Sequence, residues 1–324
     1  MPIVELPYHP VAVGYAGGGR IRHWRGAPAD APVAAEEWIG STTPLRGGPE
    51  GVSTLADGRT VRDLIAADPH RWLGREATGS GVLVKILDPA SRIPVHWHPD
   101  AAFARQHLGV AHGKAEAWVV LSETARVWLG PADYTDPADF EAAIDRRDTQ
   151  WLLAHMHRFD LGRGDAVFVP PGVTHAIDAD ALLAEVQEPL AAGSLFAEYW
   201  LFGLDADRAT LGTGWEAALG CIAPPMDRAA AEHLVTSPPA TTGLHRPFPT
   251  DEFFWARSGR VDGSMRVPID RLTVVIAEAG EVVIATADTV STAEQGSAWL
   301  VGAGAAEVTL DGTGHLLLFG PPRP

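Results

Sequence analysis

The sequence predicts an all-β fold centred on a jelly-roll barrel. Two observations carry this expectation. Glycine and proline are plentiful, 34 and 26 among 324 residues, and the segments between them read as short strands. From Gly81 onward these segments follow one another at the close spacing of antiparallel strands joined by turns.

Residues 1–80 read as an irregular entry segment with Gly17-Gly18-Gly19, a Pro/Ala-rich piece over 28–32 and one helix. The helix is expected over 60–67. Thr60 caps it, Asp63 suits its first turn, and Val61, Leu64 and Ile65 share a face. Asp68-Pro69 is expected to end it. Strands follow at 82–87 and 95–98. Segments 115–121 and 125–129 read as a hairpin across Ser122-Glu123-Thr124. A helical insertion opens at Asp136-Pro137, the aspartate as cap and the proline at the first helical position. Strands resume at 158–161, 166–169, 174–177, 182–187 and 196–202. Gly162-Arg163-Gly164-Asp165 and Pro170-Pro171-Gly172 supply turns among them. A short helix is expected near 227–234, in a boundary region. Two domains are therefore expected: 1–220, holding the entry segment, the barrel and the insertion, and 221–324, a smaller strand-rich unit. In the second unit strands are expected at 253–256, 272–277, 281–286, 298–301, 307–310 and 316–319. That unit packs on the first or forms an oligomer contact such as a homodimer interface.

Composition narrows the function classes. Hydrophobic residues make up 46% of the chain, as in a packed globular protein, and the formal net charge is -16. Nucleic acid and anionic membrane surfaces are repelled by such a charge and are not expected as partners. No apolar run is long enough to span a bilayer, and Met1-Pro2-Ile3-Val4-Glu5 lacks the basic start and apolar core of a signal peptide. Cys221 is the single cysteine, so no internal disulfide framework exists, and a cytoplasmic location is expected. Its setting, Leu219-Gly220-Cys221-Ile222, reads as buried packing.

The chemistry concentrates at Val95-His96-Trp97-His98-Pro99-Asp100. Side chains alternate faces along a strand, so His96 and His98 point one way and Trp97 the other. Glu116 stands at the mouth of an apolar strand, and His175 follows the Pro170-Pro171-Gly172 turn. Together the four form a candidate divalent-metal site. Three neutral imidazoles and a carboxylate suit zinc, and equally iron, manganese or nickel. Such an ion polarises a carbonyl and stabilises an enediolate. Lys114 has two readings: it holds a substrate anion and shuttles a proton, or it forms a structural ion pair with Glu116. Trp97, Trp118 and Trp200 either stack on a sugar or pack in the core.

These motifs, in this order, resemble type I phosphomannose isomerases. The family's Gln-Val-His-Pro-Asp motif is similar to His96-Trp97-His98-Pro99-Asp100, with His96 where the family has glutamine. Its Gly-Lys-Thr-Glu motif is similar to Gly113-Lys114-Ala115-Glu116. Its Val-Pro-X-Gly-Thr-Val-His-Ala-Ile motif is similar to Val169 through Ile177, and its Leu-X-Glu-Ile-Gln strand to Leu183-Ala184-Glu185-Val186-Gln187. The resemblance covers about the first 210 residues. It implies a zinc-dependent cupin with a degenerate C-terminal cupin-like domain, and His96, His98, Glu116 and His175 as metal ligands. It implies a sugar or sugar-phosphate substrate and the interconversion of mannose 6-phosphate and fructose 6-phosphate by proton transfer between C1 and C2. One departure stands out. The family's active-site arginine, on the segment after the Glu185 strand, has no counterpart here. Glu198 occupies that stretch and joins Lys114 as a candidate catalytic residue. That departure keeps three alternatives open: an isomerase of an unphosphorylated sugar, a cupin oxygenase using iron, and a non-catalytic sugar-binding protein.

Overall fold

The computed structural model describes residues 2–45, 48–74, 79–179 and 181–322. Among the described residues the strands form three sheets. A seven-stranded sheet runs Val235–Thr236, Ala166–Val169, Glu116–Val120, Leu183–Gln187, Leu83–Leu87, Glu36–Ile39, Pro10–Val11. A five-stranded sheet runs Leu195–Phe196, Ile93–Trp97, Thr174–Ile177, Thr124–Gly130, His157–Gly162. These two face each other as the walls of the jelly roll, with Leu87, Trp118, Val120, Val127, Leu129 and Leu183 packed between them. The third sheet is C-terminal and is built on the long strands Trp255–Ile269, Thr273–Ala285 and Ala306–Gly320.

Period-two alternation explains the layering. On Leu83–Leu87, the side chains of Leu83, Lys85 and Leu87 turn toward the barrel interior. Val84 and Ile86 turn outward and pack with Val274, Ile276, Leu300 and Phe319 of the C-terminal sheet. Glu116–Val120 and Leu183–Gln187 divide in the same way. The middle sheet is thus buried on both faces, which is why its strands read as near-continuous apolar runs.

Segments 115–121 and 125–129 are not a hairpin. Glu116–Val120 pairs with Leu183–Gln187 and Ala166–Val169, whereas Thr124–Gly130 pairs with Thr174–Ile177 and His157–Gly162. The short loop between them is a jelly-roll corner that carries the chain from one sheet to the other. Segment 196–202 is not one strand: the strand stops at Phe196, and Tyr199–Phe202 is a 3-10 helix. In the C-terminal unit, 272–277 and 281–286 merge into one strand, as do 307–310 and 316–319. The glycines there mark a bend rather than a turn. Gly280 has φ 74, and a Cβ on it would lie 2.2 Å from the Thr313 carbonyl oxygen, so only glycine lets the two long strands cross so closely.

The helical expectations stand in a clearer form. Val61–Ala67 begins with a capping box between Thr60 and Asp63. Asp68 closes it and also caps the next helix, Pro69–Leu73. Pro137–Asp145 is capped by Asp136, and Arg228–Glu232 by Asp227.

The sheets divide the chain differently from a cut at 220/221. Ile3–Glu5 pairs with Ala298–Val301 in the C-terminal sheet, and Val235–Thr236 pairs with Ala166–Val169 in the barrel. The chain therefore enters the C-terminal layer first, builds the barrel, and leaves it only after Thr236.

Candidate metal centre and its cavity

His96 and His175 lie directly opposite each other on neighbouring strands of the five-stranded sheet. His98 follows at the end of Ile93–Trp97, on the same face as His96. Glu116 reaches across from the other sheet. All four are buried, and their ligand atoms lie within 4.8 Å of one another. Glu116 Oε2 is 2.8 Å from His98 Nε2, and Oε1 is 3.1 Å from His175 Nε2. The structure brings together the four residues that the sequence singled out.

The hydrogen bonds behind the imidazoles fix their tautomers. His96 Nδ1 bonds the Pro94 carbonyl at 2.8 Å, His98 Nδ1 the Gly193 carbonyl at 3.0 Å and His175 Nδ1 the Val173 carbonyl at 2.9 Å. A carbonyl only accepts, so each Nδ1 donates, and a neutral ring then presents an Nε2 lone pair to the centre. Burial, helped by neighbouring positive charge, holds His96 well below the ordinary imidazole range; burial and the Lys114 ammonium push His98 down to about 3. His175 Nε2 is buried without an aligned hydrogen bond although Glu116 Oε1 stands 3.1 Å away. Converging lone pairs and a carboxylate form a cluster of acceptors, and these residues fit a divalent transition metal. Lys114 already supplies one positive charge. Its Nζ lies 2.7 Å from both His98 Nε2 and Glu116 Oε2. Burial opposes ionisation of Glu116, but Lys114 and the imidazoles outweigh it and hold the carboxyl well below its usual range.

His96 and Glu116 of the cluster, with Lys114, line a cavity of about 710 Å³. Sequence reasoning missed a second charged group on its floor. Lys85 is directly opposite Glu185 in the strand register, with Nζ 2.9 Å from Glu185 and 3.5 Å from Glu36. Tyr15 and Trp38 each donate a hydrogen bond to Glu36, at 2.8 and 2.7 Å. Burial raises the Glu185 carboxyl, and Lys85 offsets this only in part because Glu116 and Glu36 add negative charge. For Glu36 the balance falls the other way: Lys85, Trp38 and Tyr15 overcome burial and lower it. Lys85 is itself raised, its two carboxylates outweighing burial. The available signal was a single lysine inside the apolar run Val82-Leu83-Val84-Lys85-Ile86-Leu87, which has to find a buried counter-charge.

Glu198 is not brought to this cavity. After Phe196 the chain leaves the strand, and the Glu198 carboxylate is tied to Arg92 at 2.6 and 2.8 Å and to the Val95 backbone N–H at 2.6 Å. Both of its oxygens are committed to anchoring Ile93–Trp97. Trp97 and Trp118 are fully buried in the core, and neither they nor Trp200 line the cavity; Trp38 does.

No family model matches the chain. It is 29% identical over 178 residues to mannose-6-phosphate isomerase of Streptococcus mutans, a match covering 53% of this chain and 53% of that protein. The matched region thus spans about half the length of the curated relative. Among solved structures it is similar to the mannose 6-phosphate isomerase from Bacillus subtilis, with TM-score 0.75 and 19% identity over 98% of this chain and 99% of that one. It is equally similar, at TM-score 0.75 and 14% identity with full coverage of both chains, to a mannose 6-phosphate isomerase bound with zinc and yttrium. The chain thus shares its fold with solved phosphomannose isomerases, and over about half its length its sequence is similar to that of a mannose-6-phosphate isomerase.

Proposed function

We propose that this protein is a metal-dependent aldose–ketose isomerase that interconverts mannose 6-phosphate and fructose 6-phosphate, with zinc as its ion and the cytoplasm as its place of action. The observation that carries the reading is the convergence of three Nε2 lone pairs and the Glu116 carboxylate beside a cavity that is also lined by the buried carboxylate of Glu185. A divalent ion bound by His96, His98, Glu116 and His175 supplies positive charge to the oxygens of the sugar carbonyl and its neighbouring hydroxyl. Glu185 is the residue we assign to the proton transfer between C1 and C2. It lines the cavity, and its raised proton affinity brings it closer to neutral pH than an ordinary glutamate. Lys85 holds the Glu185 carboxylate in place. Lys114 fixes Glu116 and places an ammonium at the cavity wall beside a developing sugar alkoxide. The cavity volume falls within the range of about 300–1,000 Å³ usual for small-molecule sites.

The test is to strip the purified protein with a chelator, restore zinc, manganese, iron or nickel in turn, and follow fructose 6-phosphate formation. Turnover is expected with at least one ion and is lost in E185Q, which still retains metal. In H175A, metal retention on elemental analysis is expected to fall at least tenfold. A wild-type protein that binds metal stoichiometrically yet turns over no mannose 6-phosphate with any of the four ends the proposal.

A further inference from the structure

One segment, 202–212, forms a cavity wall whose lining residues are half-buried or exposed, whereas Glu36, Lys85, Lys114, Glu116 and Glu185 of the same cavity are buried. Phe202, Leu204, Leu211 and Gly212 give this wall an apolar surface, and Asp207 and Arg208 are its two charges. Phe202 also stacks on Tyr15, with ring centroids 5.5 Å apart and planes 4° apart, and packs edge-on against Phe196 at 5.5 Å. Phe196 in turn stacks on His96 at 5.3 Å. An aromatic tier thus joins this segment to the metal-ligating cluster and sets where the wall stands. The short helix Ala206–Ala209 is capped by Asp205, whose carboxylate accepts the Arg208 backbone N–H at 2.8 Å. The Arg208 backbone is therefore fixed while its side chain is exposed at the cavity rim.

The other two cations of the cavity are committed. Lys85 lies between Glu185 and Glu36, and Lys114 is bonded to Glu116. Among the described residues that line the cavity, Arg208 is the cation with no carboxylate at ion-pair distance. We propose that Arg208 is the specificity residue that receives the anionic end of the substrate, a phosphoryl group on the carbon remote from the reacting pair. This assignment rests on the isomerase reading. With the reacting carbons at the imidazole cluster, a linear hexose extends toward the wall at 202–212. A phosphoryl group placed deep would face Glu36, Glu116 and Glu185, whereas at the rim it meets a guanidinium able to donate two parallel hydrogen bonds. Asp207 lines the same wall and opposes the anion, so the rim is tuned by the pair.

The experiment uses zinc-loaded protein and two readouts. The first compares kcat/KM for mannose 6-phosphate with that for mannose in wild type, R208A, R208K and D207N. The ratio is expected to fall about 10- to 100-fold in R208A, mostly through KM, as for loss of a charge-assisted contact. R208K recovers part of it as a point charge, and D207N raises it. A ratio in R208A within twofold of wild type overturns the proposal. The second readout is calorimetric binding of mannitol 1-phosphate against mannitol, neither of which can be isomerised. Stronger binding of the phosphate by wild type, lost in R208A, supports the assignment even if no sugar phosphate is turned over, in which case only the isomerase reading falls. Equal preference in wild type and R208A, or no preference for the phosphate in wild type, overturns it.

Discussion

Replacing Lys85 by methionine tests the buried charges directly. Lys85, Glu185 and Glu36 are 5%, 3% and 8% exposed, so water screens them little. At an effective dielectric constant of 20, charges separated by the 2.9 Å from Lys85 to Glu185 attract by about 6 kcal/mol, and those at the 3.5 Å to Glu36 by about 5 kcal/mol. Desolvation of the ammonium cancels much of this gross attraction. Removing one partner of a buried pair has a net cost of about 3–5 kcal/mol, because the charges left behind are uncompensated. For K85M we expect a loss of that size, about 4–7 °C in Tm for a chain of 324 residues. The loss has a definite pH dependence. Without Lys85 both carboxyls have folded pKa values above their unfolded ones, so the folded state is penalised as pH rises through that interval. The penalty should be larger at pH 8 than at pH 5, and K85M/E185Q should recover at least about 1 kcal/mol of it. Calorimetric or circular-dichroism melts of wild type, K85M, E185Q and K85M/E185Q at both pH values check this. A penalty under about 1 kcal/mol, or one that is greater at pH 5, refutes the reasoning.

E198Q weakens the bidentate pair with Arg92 and is expected to cost about 2–4 kcal/mol of stability. Because Glu198 anchors a strand and does not line the cavity, kcat measured well below the melting transition should match wild type; a selective loss of kcat would return Glu198 to the chemistry. Burial pushes the Cys221 thiol up to about 11, with a hydrogen bond to the Ala218 carbonyl. Its carboxamidomethylation by iodoacetamide at pH 8 should therefore run about 100-fold slower than that of a model thiol and rise about tenfold per pH unit up to pH 10. Rapid modification at pH 8 would contradict that environment.

The cluster of His96, His98, Glu116 and His175 was legible because strand periodicity is local. His96 and His98 sit two residues apart, and no knowledge of the partner strands is needed to place them on one face. That Glu116 and His175 reach the same point depended on the order of the motifs; His175 stands opposite His96, and Glu116 lies 2.8 Å from His98 and 3.1 Å from His175. The floor of the cavity was not legible. Lys85 and Glu185 are one hundred residues apart and meet only because Leu83–Leu87 and Leu183–Gln187 are neighbours in the middle sheet. The hairpin expected across Ser122-Glu123-Thr124 fails for the same reason. A tight loop between two apolar runs looks the same whether the strands pair or cross between sheets. Glu198 shows a further limit: proximity to a motif in sequence says nothing about which side of a strand the chain takes when the strand ends.

The pairing of Ile3–Glu5 with Ala298–Val301 ties the two extremes of the described chain into a single layer. A protease nick between Thr236 and Gly243 would accordingly leave a noncovalent complex and not two autonomous pieces. The upstream fragment would lack a shelter for Val84, Ile86 and their neighbours, and the downstream fragment would lack an edge strand. Complementation of the two halves in trans, in the manner of a split reporter, is the behaviour this stitching favours.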